Sequence, residues 1–192
     1  MAECIAKWSV VDTHLGYLFI SLLRSNEGLG AALYGDFESA KAKSNAIKAL
    51  AVASLSADEN DLISRLLKHV SSQQKTRDKL AHWLIGTSED LPDSLILVNP
   101  KSAWAALGET QQYWREAPHL LENKLTGKSV TEDEVYAYDL NSLRSDRDGF
   151  FKLSILLTKF IKMVSSDPEN QTRHQLYAEL NQDARLAKRI AR

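Results

Sequence analysis

The stretch of this sequence that most suggests chemistry is Thr76-Arg77-Asp78-Lys79-Leu80-Ala81-His82, where a guanidinium, a carboxylate and an imidazole fall within six consecutive residues, 77–82. Such a set can grip an anion and handle a proton. Its setting is helical. Counting about 100° per residue from Arg77, Leu66, Val70, Ala81 and Leu84 lie within about 40° of it, and Leu62 and Leu80 within about 60°. Arg77 therefore stands in the middle of an apolar stripe. A guanidinium stripped of water costs several kcal/mol or more unless it is met by a partner. The partner is a carboxylate, a set of backbone carbonyls, a bound anion or a water-filled cleft. His82 falls about 140° round from Arg77, on the flank of the stripe, with Asp78 one turn below it.

These residues close a helix predicted over about 57–84. Ser56 and Glu59 have the Ser-x-x-Glu spacing of a capping box, which satisfies two of the orphan N–H groups that open a helix. Gly86 follows the last apolar residues, where a helix commonly ends in a left-handed residue. A first helix over about 3–23 has Trp8, Val11, Leu15, Leu18, Phe19 and Leu22 at helical spacing, with Asp12 on the same face. Asp12 is the second charge out of place. It is expected either to pair with Arg77 when the two helices pack, as a structural ion pair, or to mark a polar edge of the face.

Ser25-Asn26-Glu27-Gly28 signals a turn, 29–34 a short helical piece, and 36–54 a second long helix rich in alanine and lysine. After a polar loop over 87–93, residues 95–98 read as a strand, matched by a later run at 135–138. The two are expected to pair as a small antiparallel ribbon. The 99–134 interval is too long for a structureless loop, so short helices are expected at about 101–107 and 110–117, with Trp104, Tyr113 and Trp114 as packing aromatics. Leu140, Leu143, Phe150, Leu157, Ile161 and Val164 describe a long core helix with Asp139 as its N-cap. Asp167-Pro168 is expected to start the last helix, whose basic end (Arg185, Lys188, Arg189, Arg192) suits the macrodipole.

A chain of 192 residues with 44% hydrophobic content suffices for one domain with a core, here read as a single helical domain over 1–192 carrying the 99–134 insertion. The formal net charge of −1 gives no global field toward nucleic acid or anionic membrane, so RNA binding requires a local basic patch. Cys4 is the single cysteine, which excludes an intrachain disulfide and a cysteine-based zinc site and suits a cytoplasmic setting. The apolar run 15–23 is too short to span a bilayer. His14, His69, His119 and His174 lack ligand spacing, so neither a metal nor another cofactor is expected.

Arg77-Asp78-Lys79-Leu80-Ala81-His82 resembles the signature of the HEPN superfamily, an Arg, a polar residue and a His after four to six intervening residues. The resemblance covers these six residues and a helical frame. It implies a mainly α, up-and-down helical bundle that works as a homodimer, with two motifs facing one cleft. It also implies metal-independent RNA cleavage of the kind found in toxin and defence systems. His82 would then exchange a proton with the ribose 2′-hydroxyl or the leaving oxygen, Arg77 would hold the scissile phosphate, and Asp78 would orient His82. The ribbon with its long insertion, and the bulky Trp83 after the histidine, depart from a minimal member. The alternative is a non-catalytic helical module that uses the same helices for dimerisation or to bind a partner protein.

Overall fold

The computed structural model describes residues 1–104 and 135–186. Its helices begin where short polar side chains can cap them. Asn26 opens α2 (Glu27–Gly35) by accepting from the Gly28 and Leu29 amides, and Ser39 opens α3 (Ala40–Ser54) through the Ala42 amide. The expected start at Asp36 thus moves to the residue after a better cap. α1 (Ala2–Leu23) ends at Arg24, whose φ of 51° is the left-handed conformation that terminates a helix. In α4 (Ala57–His82) the capping box forms as expected. The Ser56 amide donates to Glu59 Oε2 at 3.1 Å and the Glu59 amide to Ser56 Oγ at 3.4 Å.

The chain divides into two compact units where the sequence reading has one domain: Ala2–Lys75 with the chain from Arg147 on, and Thr76–Asp146. Among the described residues the regular elements of the first are all helices. α6 (Leu140–Ser165) supplies Phe150, Leu153, Leu157 and Phe160, each fully buried, and α4 supplies Leu62, Ile63 and Leu66. Trp8 of α1 meets Phe150 edge-on at 5.3 Å. Two glycines let α1 and α2 approach closely: a methyl added at Gly30 would lie 2.9 Å from Ile20 Cγ1, and one at Gly16 would lie 3.3 Å from the Tyr34 ring. α7 (Gln171–Gln182) starts later than Asp167-Pro168, because those residues form a turn in which the Asn170 amide bonds Asp167 O, and Asn170 becomes the cap.

Asp12 is accounted for within this unit. It accepts from Lys43 Nζ at 3.1 Å and from the Tyr34 hydroxyl at 3.4 Å, so the expected Asp12–Arg77 ion pair gives way to a pair with Lys43. Burial and the Asp12 charge push the Tyr34 phenol well above its ordinary range. The buried ion pair of the unit is one that spacing does not announce. Arg173 Nε donates to Glu59 Oε1 at 2.7 Å with side chains only 5% and 13% exposed, and Arg173 Nη1 also bonds Ser166 O.

The second unit is built on a three-stranded antiparallel sheet, ordered β1 (Leu84–Ser88), β2 (Leu91–Val98), β3 (Val135–Asp139). The expected pairing of 95–98 with 135–138 is present, with Leu95 opposite Tyr138 and Val98 opposite Val135. The third strand was not expected. Leu84 and Ile85 pair with Val98 and Leu97, and a two-residue loop at Glu89-Asp90 joins β1 to β2. Gly86 consequently does not end a helix; it pairs with Ile96, and no glycine among the described residues has positive φ. After Val98 a helical turn, α5, opens at 100–104. The expected helix at 110–117, most of the 99–134 insertion and the basic end beyond 186 lie outside the described residues. Among the described residues no helix is long and apolar enough to cross a membrane.

Candidate functional site

Every residue of the motif lies in the sheet-bearing unit, at the last turns of α4. The apolar stripe counted around Arg77 is not covered throughout. Val70 is 6% exposed and Leu80 3%, but Ala81 is exposed and Leu84 is 42% exposed in β1. Arg77 is therefore only partly covered, its side chain 29% exposed. The helix stops at His82 because the β2 ladder offers partners to Leu84 and Ile85, the latter β-branched.

Arg77 and His82 come together despite their angular separation. Arg77 Nη1 lies 3.2 Å from His82 Nε2 and 3.1 Å from Asp78 Oδ1. Residues five apart do not ordinarily face each other on a helix. Here a long guanidinium arm reaches round the axis to an imidazole on the terminal residue. Since a guanidinium only donates, Nε2 is the acceptor, and the hydrogen-bond pattern assigns the ring proton of the neutral imidazole to Nδ1. Asp78 meets Arg77 rather than the ring, so any orientation it gives His82 passes through the guanidinium. Arg77 Nε is buried and finds no acceptor among the described residues. His82 itself is exposed.

The same helix end carries a second group of side chains. Lys79 Nζ sits 3.1 Å from the centroid of the Tyr136 ring and 5.4 Å from that of Trp83. The two rings meet edge to face, 5.6 Å apart. Sequence reasoning missed this group because Tyr136 is far away in the chain. The Lys79–Trp83 spacing of four was the available signal, one that brings two residues of a helix onto one face.

Groups of the helical unit also depart from their ordinary values. Burial alone would raise the Glu59 carboxyl, but bonds from Arg173 and from Ser56 outweigh it and hold it below the usual carboxylate range. Burial, aided by the Arg185 charge, holds the His69 imidazole below its ordinary value. In the sheet unit, Asp139 caps α6 through the Ser142 amide at 2.7 Å, a bond that keeps its carboxyl low.

Comparison with models of protein families, with curated proteins and with solved structures finds no match to this chain.

Proposed function

We propose that the chain is a metal-independent endoribonuclease of HEPN type that cuts RNA through Arg77 and His82. One observation carries this reading: a guanidinium and an exposed imidazole share a 3.2 Å contact at the end of one helix. In the free protein that contact holds the ring in place. A phosphate arriving at the site is a better acceptor for the guanidinium fork than a neutral ring nitrogen, so Arg77 turns to it and frees Nε2. The ribose 2′-hydroxyl gives its proton to Nε2 as its oxygen bonds phosphorus. The bond from phosphorus to the 5′-oxygen breaks, and that oxygen takes a proton from a second imidazolium, supplied by the other copy of a homodimer. The products are a 2′,3′-cyclic phosphate and a 5′-hydroxyl. Arg77 donates to the phosphoryl oxygens as charge grows on them.

The second reading, a non-catalytic interaction module, is favoured by Arg77 already being engaged by Asp78 and His82. Incubating the purified protein with single-stranded RNA in EDTA separates the two. Cleavage that ends in a cyclic phosphate and disappears in His82→Ala, with the fold intact by circular dichroism, is the expected result. Equal cutting by His82→Ala and wild type removes the motif from the chemistry. RNA left intact by wild type across several sequences favours the module.

A further inference from the structure

We infer that Trp83, Tyr136 and Lys79 form a nucleotide subsite beside the Arg77–His82 pair, where a base of single-stranded RNA stacks on the Trp83 indole and Lys79 bonds the adjoining phosphate. The inference rests on the nuclease reading and adds to it the residues that select an unpaired strand.

The geometry begins with the wheel. Relative to Arg77, Asp78 and His82 lie at roughly 100° and 140°, and Lys79 and Trp83 at roughly 200° and 240°. The four follow one another round a single side of the helix end, and Lys79 stands between the imidazole and the indole. A lysine ammonium is strongly hydrated and normally extends into water. Here it is folded back over Tyr136, 3.1 Å from the ring centroid, where the negative π face holds it. Trp83, Lys79 and Tyr136 are all partly open to solvent. Because Trp83 meets Tyr136 edge to face, with the ring planes inclined at 68°, the contact covers one face of one ring and leaves the others unstacked by it.

An anchored cation and an aromatic face are the two parts from which sequence-tolerant single-strand sites are made. They also choose the substrate. In an A-form duplex the base faces are already stacked on one another, so only an unpaired strand, loop or end offers a base to the indole. Cleavage would therefore be confined to unpaired RNA.

The test uses the full-length His82→Ala chain, so that RNA stays uncut, and a fluorescein-labelled single strand about ten nucleotides long, read by anisotropy. A matching set carries one abasic ribose at successive positions. At one position the abasic strand should bind about ten-fold more weakly. Adding Trp83→Leu should weaken the intact strand by a similar factor and abolish that abasic penalty, whereas Trp83→Phe should keep most of it. Lys79→Gln should reduce the salt slope of binding by about one. The penalty persisting in Trp83→Leu, or Trp83→Phe losing as much as Trp83→Leu, overturns the subsite, while cutting by wild type leaves the nuclease reading standing. A strand that wild type neither binds nor cuts removes both.

Discussion

Arg77 holds two partners with one nitrogen, and this decides which substitution is informative. An ammonium at position 77 keeps the charge but offers no planar fork, so it cannot grip a phosphate by two parallel bonds. Arg77→Lys is expected to lower RNA cleavage on the order of a hundred-fold or more while leaving urea melts nearly unchanged, because the side chain is only partly buried. Equal activity in single-turnover assays would mean that charge alone suffices there. At this scale the sequence was readable in part. The types and spacing marked Arg77, Asp78 and His82, and the contact between the first and last of them exists. The wheel misjudged two things. It treated Arg77 as core because Ala81 and Leu84 continue the apolar count, and it gave Asp12 to Arg77 because both charges looked stranded. A wheel carries no side-chain length and no neighbours, so the long arms of Lys43 and Arg77, each finding a partner nearby, were invisible to it.

Most helices could be located from capping and periodicity, and the errors lie at their ends. Gly86 looks like a stop, but a β ladder, a tertiary partner, claims Leu84 and Ile85; Asp167-Pro168 looks like a start, but the nearer local cap Asn170 opens α7. The Glu59–Arg173 pair is another tertiary partnership, joining the first turn of α4 to α7. Glu59 titrates lower in the folded chain than in the unfolded one, so the pair adds stability at neutral pH. That stability is lost as pH falls from the usual glutamate range, about 4.3, through the folded value. Removing one partner of a buried pair costs about 3–5 kcal/mol, so Glu59→Gln should melt earlier in urea at pH 7. The gap to wild type should close in acid, where both side chains are neutral. A gap that stays constant with pH would show that the charge on Glu59 adds nothing.

Over the whole molecule, the mainly helical class and the 95–98 with 135–138 pairing were legible, and the division into two units was not. The stripes of α4 and α6 read as continuous because Leu80, Leu140 and Leu143 extend them. Yet 76–82 and 140–146 belong to the sheet unit, and full burial along α6 starts only at Phe150. A count of apolar residues along one helix does not say which neighbours will cover them. The sheet also sets an order in time. β1 and β2 are joined by two residues, whereas β3 reaches β2 only across the segment 99–134. Closing the longer loop costs on the order of 2–3 kcal/mol more in chain entropy. The β1–β2 ladder should thus form and dissolve many times before β3 docks. Pulse-labelled amide exchange during refolding should protect Ile85 and Gly86 no later than Tyr136 and Ala137; the reverse order would mean that the long segment brings its ends together first. Tyr136 rides on that late strand. The chain would then hold Arg77, His82 and Trp83 in place while the ring that Lys79 rests on is still missing, so the lysine would be the last of these groups to settle.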